Sequence, residues 1–194
     1  MPRLVLLLVI ATLVISGSAQ AIEPVSAIRQ ANYNFARGEY LETIQDLREA
    51  LVGVWNQAPL ALNNVTWIKE IPEGYGMYTP RENNILNDAE PMLLYMEPVG
   101  YTIQKAGFLY SLSLYADFEV INSKGETIGG MEKFAEWKVS SRAAQTEYPI
   151  FCTFNFRQIE VGAYKLKIIV YDEFSKKTAT TIPVSYTHLR AHET

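Results

Sequence analysis

The sequence predicts a mainly β protein: an antiparallel β-sandwich preceded by a short α-helical hairpin. Three observations carry this. Apolar residues recur at three- and four-residue steps between residues 25 and 55, the spacing of a helical stripe. After Pro59 the period drops to two, the spacing of strands with one face on a core. No stretch beyond residue 60 offers a helix, and a parallel sheet needs such a crossover.

The chain opens with Met1-Pro2-Arg3, then an uncharged run from Leu4 to Ile15, then "SGSAQA". A bilayer crossing takes about 20 apolar residues, so this run is short for a membrane helix. A basic start, an apolar middle and small residues at Ala19 and Ala21 are the layout of a secretory signal peptide. Residues 1–21 are read as that peptide, with cleavage after Ala21, which leaves no membrane span. The expected location is periplasmic or secreted, in an oxidising compartment.

Residues 22–58 are expected to form the helical hairpin. Ala27, Ile28, Ala31 and Phe35 make one stripe; Leu41, Ile44, Leu47, Leu51 and Val54 make a second. Gly38 lies between them, where a helix can stop. The outer face of the second helix carries Glu42, Asp46, Arg48 and Glu49. The string "NFARGEYLETIQDLREAL" resembles one tetratricopeptide unit in the order of its small, aromatic, Gly-x-Tyr and Ala-Leu positions. Such units share a core among about three copies, and no second copy is found. The hairpin is therefore expected to pack on the neighbouring domain.

Residues 59–184 supply the strands. The clearest runs from Phe108 to Val120, where Phe108, Tyr110, Leu112, Leu114, Ala116, Phe118 and Val120 alternate with mostly polar neighbours. "NSKGE" follows as a turn. Further strands are expected at Leu60–Ile68, Pro91–Met96, Lys133–Val139, Ile150–Phe156, Tyr164–Tyr171 and Thr178–Val184, a spacing that suits a sandwich. The segment "EVGAYKLKIIVYDEFSKKTATTIPV" resembles the last two strands of immunoglobulin-like domains in exported bacterial proteins. The resemblance implies an immunoglobulin-like antiparallel β-sandwich. There Gly162 and Tyr164 open a strand, as a tyrosine corner does. Asp172 accepts turn N–H groups ahead of Ser175 and Lys176. That fold serves many purposes and brings no activity with it.

The chain closes on "SYTHLRAHET", which resembles one frame of translated sequencing adapter. On that likeness Ser185–Thr194 is read as foreign, and the native chain as interrupted after Val184. His188 and His192, the only two histidines, go with it. Setting both ends aside takes Lys plus Arg from 17 to 15 and Asp plus Glu from 21 to 20, a net charge of −5. No basic stripe remains for nucleic acid. No imidazole remains for a Ser-His-Asp or Cys-His site. Cys152 is the one cysteine, set among aromatics in "YPIFCTFNF" with no base or cation beside it. It reads as a buried, inert thiol.

The least regular stretch is Glu70–Tyr101, rich in Gly, Pro, Asn and Tyr. Long connections in compact domains often carry function. Trp67, Tyr75, Tyr78, Tyr95 and Tyr101 would stack on sugar rings or grip a peptide if exposed. Alternatively they cap the sandwich ends or close it against the hairpin. Arg81 and Glu97 join them as polar candidates, either in binding or as an ion pair that anchors the loop. Glu90 and Glu97 would be a general acid/base pair only if they face each other across a cleft. Asn83, Asn84, Asn87, Asp88 and Glu90 are oxygen-rich, but their spacing fits no calcium loop. Asn64-Val65-Thr66 has the form of a glycosylation acceptor, without meaning in a bacterial chain. No cofactor is expected. The expected function is a non-enzymatic exported module that binds a protein or an envelope component. Carbohydrate binding through the aromatics is the alternative, and a carboxylate-dependent hydrolase a distant third.

Overall fold

The computed structural model describes residues 23–86, 91–155 and 162–187 of the 194. Residues 1–21, read as the signal peptide, lie outside that range. So do Asn87, Asp88 and Glu90, and both histidines.

The hairpin consists of α1 (Pro24–Ala36) and α2 (Tyr40–Gln57). Pro24 opens α1, where its missing N–H is no loss. Gly38 closes the helix at φ +77 and donates its N–H to Phe35 O at 3.0 Å, a left-handed stop that suits glycine. The two helices meet through small residues: Ala27 and Ala31 on α1, Thr43, Ala50 and Gly53 on α2. Asn34 is buried at this seam and donates to Asp46 Oδ2 at 2.8 Å.

Among the described residues the strands are β1 (Ala61–Ile68), β2 (Ile85–Leu86), β3 (Met92–Val99), β4 (Gln104–Ala106), β5 (Leu109–Ile121), β6 (Thr127–Ser141), β7 (Ile150–Phe154), β8 (Gly162–Asp172), β9 (Thr178–Thr181) and β10 (Val184–Thr187). They build two sheets. The smaller has the order β1-β3-β7. The larger centres on β5, with β6 and β8 on its two sides. β4 pairs with the start of β5. β9 and then β10 follow one another along β8. All these pairs are antiparallel; the exception is the two-residue parallel pairing of β2 with β10.

The sandwich expected from the period of two is therefore present. Leu94 and Met96 of β3, Ile150 of β7, Leu114 of β5 and Ile168 and Val170 of β8 fill the space between the sheets, each at most 1% exposed. Cys152 lies in the same core, and burial pushes its thiol up to about 12. At the base of the last hairpin, Asp172 is buried. It accepts from Phe174 N–H (3.0 Å), Ser175 Oγ (2.7 Å) and Thr102 N–H (2.7 Å). Its carboxylate thus ties the β8–β9 turn to the segment before β4.

Two expectations are corrected. Phe108 is not the first core residue of a strand; it is 89% exposed, in the turn between β4 and β5. β6 starts at Thr127, six residues earlier than its apolar pattern suggested. A register shift there, with Lys133 at φ +48, breaks the alternation. β3 is buried on both faces, so it reads as a plain apolar run. Past Val184 the backbone of Ser185, Tyr186 and Thr187 pairs with that of Tyr164, Ala163 and Gly162. Ladder bonds involve only backbone, so this pairing is indifferent to the side chains that follow Pro183.

Candidate functional site

β3 has two faces. Met92, Leu94 and Met96 point into the sandwich, and Leu93, Tyr95 and Glu97 point outward. Residues 69–84 fold back as a strap over that outward face. The strap is closed on itself by Lys69 N–H to Thr79 O (2.9 Å) and Glu73 N–H to Met77 O (3.0 Å), and Arg81 N–H to Trp67 O (2.8 Å) ties it to β1. Tyr78 lies on Tyr95 with ring centroids 4.2 Å apart.

Beneath the strap a polar chain is closed on itself. Gly76 N–H donates to the Tyr95 hydroxyl at 2.7 Å, which donates to Glu97 Oε1 at 2.8 Å. The other oxygen, Oε2, accepts from Asn64 Nδ2 at 2.6 Å. Asn64 reaches inward because it sits at a register shift in β1 with φ +48, a conformation asparagine tolerates. Burial, opposed by the Gly76 N–H and helped by Glu97, raises Tyr95 to about 12. Tyr75 is raised too, by burial first and then by the Glu97 charge.

Of the seven predicted site residues, Trp67, Tyr95, Glu97 and Tyr101 are buried, the arrangement of the alternative in which these residues close the sandwich and present no aromatic surface. Trp67 packs edge-on to Phe154 in the core, 6.4 Å between centroids. Tyr101 packs on Trp55 of α2 at 5.2 Å and donates to Gln145 O; burial raises its pKa. Tyr78 and Arg81 are half-buried. Tyr75 alone keeps more than a third of its surface, at 37%. Tyr75, Tyr78, Tyr95 and Glu97 do come together, but as the underside of a strap. Both oxygens of Glu97 are already used inside the protein, so this carboxylate holds the strap down and faces no cleft. The Glu90 half of the proposed acid/base pair is outside the described residues. Among the described residues no group of three or more His, Cys, Asp or Glu is placed to hold a metal.

Besides Ile71 and Met77 on the strap, large apolar residues are exposed on the hairpin. α2 carries two stripes one residue apart. The small one, Thr43, Ala50 and Gly53, faces α1. The large one, Tyr40, Ile44, Leu47, Leu51 and Val54, faces solvent, each residue 47–62% exposed. Successive residues differ by 100° around a helix, so the seam with α1 uses up the small stripe and leaves the large one open. Ile28 and Phe35 of α1 are exposed on the same side. Phe35 meets Tyr40 edge-on at 5.9 Å across the hairpin tip, so the surface runs over both helices. The expectation that this stripe packs on the sandwich is thereby corrected. Among the described residues the hairpin joins the sandwich at the end of α2, where Val52 and Trp55 pack against the core. There Asn56 exchanges two bonds with the backbone of Ile103 (2.7 and 3.0 Å), and Lys177 Nζ donates to Asn56 O and Gly100 O (2.7 and 2.8 Å). A cleft of about 680 Å³ opens between α2 and the β6–β7 connection, with Arg48, Glu49, Tyr110 and Arg142 on its walls. The doubled stripe was the readable signal. A helix apolar over two adjoining sectors needs two neighbours, and the hairpin supplies one.

No protein-family model matches the sequence, and no curated protein does. Solved structures resemble it distantly. A Pseudomonas fluorescens alkylpurine DNA glycosylase, AlkC, bound to DNA containing an abasic site analogue, is 13% identical over 91% of this chain and 50% of its own, with a TM-score of 0.33. The Bacillus subtilis sporulation control protein Spo0M is 12% identical over 69% of this chain and 51% of its own, TM-score 0.35. A Pyrococcus furiosus CARDB domain in complex with di-metal ions is 12% identical over 68% of this chain and 93% of its own, TM-score 0.30. The chain thus spans about half the length of the first two. At these identities and scores the likenesses carry no activity.

Proposed function

We propose that this chain is a non-enzymatic exported module that binds protein through the apolar face of its helical hairpin. The observation that carries the reading is that face itself: Ile28, Phe35, Tyr40, Ile44, Leu47, Leu51 and Val54 stand exposed together on one side of two helices. Patches of this kind on soluble chains mark interaction sites. Helix-in-groove and helix-on-helix recognition both use anchors at three- and four-residue steps. The signal-peptide layout of residues 1–21 supports a periplasmic or secreted location, and among the described residues no helix is long and apolar enough to cross a membrane. The strap is not the binding surface in this reading, because its aromatic faces are spent on Tyr95 and Glu97.

Capture from an envelope extract on the immobilised mature chain tests the reading. Ile44→Glu and Leu47→Glu should each abolish recovery of the retained proteins, while Tyr75→Ala keeps it. Loss with Tyr75→Ala and retention with both hairpin variants would move the site to the strap and end the proposal.

A further inference from the structure

We propose that the hairpin face is covered by the same face of a second copy, so that two hairpins close into a four-helix bundle about a two-fold axis. This rests on the reading of that face as a recognition surface and names its occupant.

Four observations select a second copy. The first is area. Ile28 and Phe35 of α1 with Ile44, Leu47, Leu51 and Val54 of α2 are each about half exposed. With Tyr40, and ~150–200 Å² for a large apolar side chain, they present on the order of 600 Å². That is at the top of what a monomer leaves open, and most of the ~800 Å² per partner of a stable interface.

The second is charge. Arg48 is the only charged residue bordering the stripe on α2 between Tyr40 and Val54; Glu42, Asp46 and Glu49 lie round the helix from it. A partner with a charged recognition face would leave those charges desolvated, whereas an identical uncharged stripe does not. The hairpin, residues 22–58, also carries three arginines against five carboxylates, so it lacks the basic rim by which amphipathic helices settle on anionic lipid.

The third is length. From Tyr40 to Val54 the stripe runs 14 steps along the helix, about 21 Å at 1.5 Å per residue, which is enough for four turns of antiparallel contact.

The fourth is shape. An antiparallel two-fold at Leu47 sets Tyr40 against Val54 of the copy and Leu47 against itself. The bulky tip, where Phe35 and Tyr40 meet, then falls on the slimmer root at Val54. An isologous contact requires this kind of self-complementarity.

Light scattering behind size exclusion on the mature chain is the test, across a hundredfold range of concentration. The expected result is twice the chain mass, reverting to one chain mass in Ile44→Glu and in Leu47→Glu. Both variants should keep the wild-type circular dichroism, since these side chains are not core. In a second arm, Leu47→Cys should form an interchain disulfide under mild oxidation, whereas Phe108→Cys, on a remote exposed turn, should not; Cys152 is too buried to interfere. A wild type that stays at one chain mass throughout overturns the proposal, and so does a dimer that survives both glutamates. A monomer that still captures extract proteins through Ile44 and Leu47 removes the second copy but leaves the interaction reading in place.

Discussion

The hydroxyl of Tyr95 donates to the carboxylate of Glu97 two residues further along the same strand, at 2.8 Å, while accepting the N–H of Gly76 from the strap above. One phenol therefore links the sheet to the segment that covers it. Tyr95→Phe removes the acceptor for Gly76 and a donor for Glu97 together. An unsatisfied buried group costs about 1–3 kcal/mol, so urea unfolding should show a loss of that size. Amide exchange should quicken first at Gly76 and Met77.

The same phenol sets an alkaline limit. Its pKa is raised to about 12 from an ordinary 10, chiefly by burial. A raised folded pKa means the neutral form is favoured by folding. The stability it contributes is complete below pH 10 and is lost as pH climbs from 10 towards 12. Tyrosinate absorbance should show a late-titrating class containing Tyr95 and Tyr101, and unfolding should accompany it. A single smooth titration near pH 10 of the folded chain would contradict this.

Lys177 joins three parts of the chain, donating to the carbonyls of Asn56 at the end of α2 and Gly100 ahead of β4. Burial lowers its pKa. Lys177→Met keeps the aliphatic stem and leaves both carbonyls unpaired. The expected cost is about 1–2 kcal/mol, with faster exchange in the last turn of α2 and little change in β5 or β8. At Gly100, φ is +80 and an added Cβ would collide with the carbonyl of Pro59. Gly100→Ala should therefore destabilise the same joint more severely.

Cys152 should behave as a core side chain. Buried in β7 and raised to about 12, it should resist a thiol reagent at pH 8 in the native chain and react fully in denaturant. Rapid native reaction would mean the two sheets open more readily than their packing implies.

What could be read in the residues follows from how far each signal reaches along the chain. The alternation in β5 and β8 is local, and both strands fall where the pattern placed them. The turn chemistry is also local: Asp172 is expected to accept turn N–H groups, and it accepts that of Phe174. The bond from Thr102 to the same carboxylate spans 70 residues and left no trace in the pattern. Likewise Tyr95 and Glu97 look like surface residues by type, and only the strap makes them interior. On the hairpin the difference runs the other way: the spacing predicts a buried stripe and the stripe is exposed, because periodicity names a buried-type face without naming its neighbour.

The central claim is that this stripe is a surface of the protomer. Leu47→Ser tests it most directly, by unfolding free energy at chain concentrations low enough to hold the monomer. A solvent-facing leucine should change the protomer's stability by no more than about 0.5 kcal/mol, while a core leucine truncated in this way costs about 2–5 kcal/mol. The small value is expected for an exposed Leu47; a loss of about 2 kcal/mol or more would show that the hairpin buries this face within its own chain.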